Sequence, residues 1–199
     1  MKAKTLSAFA TVAAVGILLT GKASAQPKLP QAPLPIQVEL EKEGPNLFKN
    51  PNFEKGLEGW SIVAFQKKGD MAVDKEELHH GKPSLRIDNP APDFVFVRQM
   101  VGKPNRRYRL TGYVKTKDVA PAKAGAKDGA CLMVGFTAGA HPDTTVMVHG
   151  TTPWTKMTLD FATTAKTEIR VGAGLGHYNA NVTGTAWFSE LSLVELGHQ

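Results

Sequence analysis

Two predicted strands carry aromatic rings and cations on the face that water should claim. Between positions 94 and 101, Val95, Val97 and Val101 alternate with Phe94, Phe96, Arg98 and Met100. Between positions 107 and 116, Tyr108, Leu110 and Val114 alternate with Arg107, Arg109, Thr111, Tyr113 and Lys115. Successive side chains on a strand point to opposite faces, so the aliphatic set marks the core and the other set the outside. An outer sheet face is normally polar. Rings mixed with cations there suit a ligand: a ring offers a flat apolar platform, and a guanidinium offers fixed hydrogen-bond donors. Phe94, Phe96, Arg98, Gln99 and Tyr113 are therefore candidate ligand-binding residues, with Tyr178 joining from the Gly174–Asn181 loop. The plainer alternative has a loop covering Phe94 and Phe96.

Other chemistry finds no support in residue spacing. The six histidines, His79, His80, His141, His149, His177 and His198, form neither an H-x-x-x-H nor an H-E-x-x-H arrangement. His79 and His80 are adjacent and would point oppositely on a strand. No G-x-S-x-G elbow and no glycine-rich phosphate loop before a helix is present. Glycoside hydrolysis needs two carboxyl groups across a cleft. Asp93, Asp143 and Glu168 are available, but no pattern selects a pair. Cys131 is the single cysteine, so no internal disulfide forms. Its apolar neighbours make it a small core residue. The sequence thus points to a binding domain and not to an enzyme.

The elements positioning these residues are all strands. Apolar and polar residues alternate, and Gly, Pro, Asn and Asp interrupt them at short intervals. Residues 155–161 place Met157, Leu159 and Phe161 inward. Residues 84–88 do the same with Leu85 and Ile87, and residues 168–172 with Ile169 and Val171. Between 130 and 137, Leu132, Val134 and Phe136 alternate with Cys131, Met133 and Thr137. Residues 117–129, rich in Ala, Lys and Gly, read as an exposed loop, and residues 76–82 as another.

Residues 1–25 read as a secretory signal peptide: Lys2 and Lys4, an apolar stretch to Thr20, then Ala23-Ser24-Ala25 as the cleavage site. Export to the periplasm or the exterior follows as an expectation, with no stable membrane insertion. Residues 26–45 hold Pro27, Pro30, Pro33, Pro35 and Pro45 and read as an extended tether. One domain remains, from about 46 to 196. Three of the 24 basic residues, Lys2, Lys4 and Lys22, lie in the signal segment, which has no acid, so it accounts for half of the formal +6. The remainder is too evenly balanced to argue for nucleic acid.

Two distant segments add a resemblance. Asn46-Leu-Phe-Lys-Asn-Pro-Asn-Phe-Glu-Lys-Gly-Leu-Glu-Gly-Trp60 and Gly184-Thr-Ala-Trp-Phe-Ser-Glu-Leu-Ser-Leu-Val-Glu-Leu196 resemble the opening and closing strands of galactose-binding-like jelly rolls. The likeness is to secreted carbohydrate-binding modules of the cellulose- and xylan-binding type. Gly81-Lys-Pro-Ser-Leu-Arg-Ile87, Tyr108-Arg-Leu-Thr-Gly-Tyr-Val-Lys115 and Thr151-Thr-Pro-Trp-Thr-Lys-Met157 are similar to strands between those ends. The resemblance implies an all-β antiparallel β-sandwich, a jelly roll with its two ends side by side, and a polysaccharide or oligosaccharide as ligand. It places Trp60, Trp154 and Trp187 at structural positions. It also implies a structural calcium held by Glu54, with Ser189 where the family has an aspartate and Glu190 able to substitute through a bulge. A protein-interaction or envelope-structural domain of the same fold is the alternative function.

Overall fold

Period-two alternation becomes strand after strand in the structure. The computed structural model describes residues 44–67, 69–136, 143–165, 169–178 and 180–197 of the chain. Signal segment 1–25 and tether residues 26–43 lie outside these, as do Glu168, His141 and the side chains of Phe136 and Asp143. Ten strands run through the described residues: β1 (Ser61–Ala64), β2 (Asp70–His79), β3 (Lys82–Asp93), β4 (Val95–Met100), β5 (Arg107–Pro121), β6 (Ala130–Phe136), β7 (Asp143–Thr144), β8 (Gly150–Ala162), β9 (Ile169–Leu175) and β10 (Val182–Leu196). They form two five-stranded sheets, ordered β1-β4-β9-β6-β7 and β2-β3-β10-β5-β8. All pairings between them are antiparallel. This is the β-sandwich of a jelly roll.

The core is the inward half of each alternating run. Val95 and Val97 of β4, Leu132 and Val134 of β6, and Val171, Ala173 and Leu175 of β9 line the first sheet. Leu85 and Ile87 of β3, Tyr108, Leu110 and Val114 of β5, and Ala186, Phe188, Leu191 and Leu193 of β10 line the second. Each large apolar side chain so buried contributes about 1.5–3 kcal/mol. In β10 the inward positions change parity between Phe188 and Leu191. A bulge between Ser189 and Ser192 resets the phase there, with Glu190 in the left-handed region at φ 51°.

The two end segments lie side by side, as expected. Leu47 N donates to Leu193 O at 2.8 Å, and Gly44 N to Glu195 O at 3.2 Å. The Asn46 side chain donates to Leu191 O and accepts from Leu193 N. The opening motif is a small knot in its own right. Phe48 and Phe53 pack on the Trp60 ring, whose Nε1 donates to Asn50 O at 3.1 Å.

Some boundaries differ from expectation. β5 continues to Pro121, so only residues 122–129 form the link once read as 117–129. Residues 76–82 are not a free loop but the end of β2, a turn at His80–Gly81 and the start of β3. Cys131 is fully buried, and burial pushes its thiol up to about 12. A thiol reagent at mildly alkaline pH should leave it unlabelled in the native protein and label it once denaturant is added. Native labelling would contradict this placement.

Candidate functional site

The outer face of the first sheet is built on glycine. Its central strand, β9, presents Gly172 and Gly174 outward, opposite Arg98 and Phe96 of β4 on one side and Met133 and Cys131 of β6 on the other. A Cβ on Gly172 would strike the Val97 carbonyl oxygen. One on Gly174 would meet the Met133 methyl at 2.6 Å. Neighbouring side chains therefore lie down over the bare backbone. The Phe96 ring comes within 3.8 Å of where a Cβ on Gly135 would stand, so it extends across β9 towards β6. Phe94, Phe96, Cys131 and Met133 form a second apolar cluster on this face, flanked by Val63 and Met147.

This placement revises the expected binding face. Phe94 and Phe96 are only 8% and 4% exposed, so they are a floor and not open stacking platforms. Arg98 stands on that floor, its guanidinium 5.8 Å from the Phe96 ring centroid. Its Nε is buried with no hydrogen-bond partner. Burial first, and then the nearby charge of Arg170, push the Arg98 guanidinium below its usual range. It remains cationic near neutral pH. Two cations thus share one apolar surface.

The rim of this face is where exposed apolar groups gather. Among the described residues, the exposed large hydrophobics are Ile62, Phe65, Leu78, Met100, Val146 and Tyr178. Phe65 at the β1 edge, Val146 past β7, Met100 ending β4 and Tyr178 following β9 flank the outer face of the first sheet, whereas Ile62 pairs with Val97 and so faces the core side at the β1 edge. Phe65 N donates to Phe94 O at 2.9 Å, which seats this exposed ring beside the floor. Phe65, Val146 and Arg170 are residues that sequence reasoning missed. The first two sit in no alternating run, and Arg170 is simply the polar residue between Ile169 and Val171 of one.

Gln99 and Tyr113 go elsewhere. Gln99 is buried, and its amide is clamped to the backbone of Lys49: Nε2 donates to Lys49 O at 2.6 Å, and Oε1 accepts from Lys49 N at 3.0 Å. It fastens the opening segment to β4 and has no free group for a ligand. Gln99→Ala should therefore cost about 1–3 kcal/mol in denaturant unfolding, through two unpaired backbone groups, while leaving ligand affinity unchanged. Tyr113 lies on the outer face of the other sheet, because β4 and β5 are not neighbours but belong to opposite layers. Arg109 and Lys115 share that second face and are occupied there. Arg109 holds Asp160 with two bonds of 2.8 Å, and Lys115 meets Glu77 at 2.7 Å.

On the second sheet the tip of the β2–β3 hairpin leans over the outer face. His79 reaches Tyr113 on β5 (ring centroids 4.0 Å) and Trp154 on β8 (5.0 Å), beyond the intervening β10. His80, at φ 47°, turns its ring onto His79 at 3.9 Å. Trp187 is anchored separately, its Nε1 donating to Asp74 Oδ2 at 2.9 Å. Asp93, once a candidate acid, is fully buried and accepts from the backbone of Gln66 and Phe94 at 2.7 Å. That is a structural role.

The residues expected around calcium do not assemble into an oxygen cage. Ser189 is buried and donates to Pro83 O. Glu54 is exposed and lines a shallow recess with Lys49, Asn50, Lys55, Glu58 and Gly59. The bulge does turn Glu190, but towards a lysine and two imidazoles. Lys82 Nζ lies 3.1 Å from one carboxylate oxygen, and the Nδ1 atoms of His79 and His80 lie 2.9 and 3.0 Å from the other. Burial alone would raise the Glu190 carboxyl, yet Lys82 and the two imidazoles outweigh it and hold it below the usual range. Calcium selects hard oxygen donors, and this donor set does not suit it.

No family model matches the sequence, and no curated protein matches it. Solved structures do match the fold, and carbohydrate-binding modules are prominent among them, beside an α-L-arabinofuranosidase and the enzymatically active domain of a bacteriophage tailspike. The C-terminal family 22 module of Clostridium thermocellum Xyn10B superposes with a TM-score of 0.57 at 12% identity, covering 78% of this chain and 98% of that one. A family 61 module solved in complex with β-1,4-galactotriose gives 0.52 at 18% identity, covering 76% and 99%. The CBM22-1–GH10 modules of Clostridium thermocellum Xyn10B, complexed with xylohexaose, give 0.56 at 12%, covering 80% of this chain but only 30% of that larger one. At such identities the likeness establishes the fold.

Proposed function

We propose that the protein is an exported, non-catalytic module that holds a polysaccharide chain across the outer face of the first sheet. The observation that carries this reading is the ring of exposed apolar side chains around a glycine-lined floor on which Arg98 leaves an Nε unpaired. From Phe94 to Arg98 that floor extends roughly 13 Å along β4, with Met100 at its end. Phe65 and Tyr178 offer rings to the apolar faces of sugar units. Arg98, with Arg170 beside it, offers donors and positive charge to hydroxyls and above all to a carboxylate. The solved neighbours, complexed with galactotriose and xylohexaose, supply the ligand class. The signal-peptide pattern of residues 1–25 supplies the compartment.

A glycan array that includes uronic-acid polysaccharides tests the proposal. Binding to acidic chains, weaker for their neutral counterparts, is expected. A blank array from folded, monomeric protein would overturn it and leave the protein-interaction reading of the same apolar face.

A further inference from the structure

The His79, His80 and Glu190 cluster is unrelated to the glycan face and has a chemistry of its own. Adjacent residues on a strand diverge, but the left-handed backbone at His80 brings both imidazoles to one side. Glu190, also left-handed at the β10 bulge, turns its carboxylate to meet them. One ligand atom from each residue lies within 4.8 Å of the others. His79 is buried, and the rings of His80, Tyr113 and Trp154 hold its orientation. A donor set fixed by its surroundings in this way needs little rearrangement to take an ion.

We propose that His79, His80 and Glu190 bind a late first-row divalent transition metal, zinc being the ion best suited, and so pin the tip of the β2–β3 hairpin to the β10 bulge. Two imidazole nitrogens and one carboxylate oxygen form a borderline-soft set that suits zinc and not calcium or magnesium. Ligand bonds of about 2.0–2.1 Å in a tetrahedron separate donors by about 3.3 Å. The two Nδ1-to-carboxylate distances, 2.9 and 3.0 Å, need to open by only a few tenths of an ångström. Both rings then bind as the tautomer with the proton on Nε2, and water completes the tetrahedron. Lys82, on the far carboxylate oxygen, competes with the metal for Glu190. Its side chain is partly exposed and free to swing out.

Calorimetric titration of the untagged protein with zinc chloride, paired with thermal unfolding, tests this site. One zinc per chain and a raised melting temperature are expected, with no response to calcium. His80→Asn, chosen because asparagine accepts the left-handed backbone, and Glu190→Gln should each weaken zinc binding about tenfold or more. Lys82→Met should tighten it by removing the competing cation. No zinc binding by the wild type would overturn the proposal. So would unchanged zinc affinity in the His80→Asn, Glu190→Gln double variant with its folded circular dichroism spectrum intact.

Discussion

Arg98→Ala should lower affinity for an acidic polysaccharide by about 10- to 100-fold, as expected when a charge-assisted hydrogen bond is lost at 1.5–3 kcal/mol. Folding should be preserved, because Arg98 sits outside the core and its Nε has no protein partner to strand. The variant should unfold no more easily, since removing one of two neighbouring cations relieves repulsion. Arg98→Lys should recover only part of the affinity, because an ammonium cannot reproduce the planar fork of a guanidinium. Affinity electrophoresis through gels containing a uronic-acid polymer, run beside a neutral polymer, reads both effects. Equal retention of wild type and Arg98→Ala would show that the cation takes no part.

Phe188→Ala should destabilise the domain by about 3–5 kcal/mol, a large share of the 5–15 kcal/mol that holds a typical domain together. The ring is fully buried at the centre of β10, in the main core, where a truncated side chain leaves a cavity. Phe65→Ala is the contrast. That ring is 64% exposed, and its loss should move stability by no more than about 0.5 kcal/mol while weakening glycan binding. Urea unfolding of the two variants separates them. Similar losses from both would contradict the assignment of Phe188 to the core and Phe65 to the binding rim.

The fold was legible because its information is local and periodic. Leu85 with Ile87, Tyr108 with Leu110, and Val95 with Val97 alternate as a half-buried strand must, and each pair is in the core. The opening and closing motifs were legible for another reason: Asn46, Phe53 and Trp60 have fixed partners, so their spacing is constrained. The candidate site was only half legible. Alternation places Phe94, Phe96 and Arg98 correctly on an outer face. It cannot say which strands are neighbours, and so Tyr113 was joined to a face that belongs to the other layer. Nor does alternation reveal that the Phe96 ring reaches a glycine 39 positions further along the chain, Gly135.

The histidine pair failed for a sharper reason. Opposite pointing of adjacent strand residues holds only while the backbone stays extended. His80 and Glu190 are both left-handed, at a turn and at a bulge, and each departure reverses a side chain. His80, directly before the left-handed Gly81, belongs to a type enriched in that conformation, but Glu190 does not. The bulge was foreseen as a route for Glu190 to change face, but the Lys82 and histidine partners it finds there depend on how the β2–β3 hairpin leans across β10. That is a tertiary arrangement with no trace in spacing.

The most direct measurement of the central claim is amide chemical-shift mapping of the labelled protein during titration with a uronic-acid oligosaccharide. The outer face of the first sheet should respond: the amides of Phe96, Arg98, Arg170, Gly172 and Gly174, with Phe65 and Tyr178 at the rim. Tyr113, Lys156 and Trp187, on the opposite sheet, should stay in place. Shifts confined to that second face, around Tyr113 and Trp154, would contradict the account.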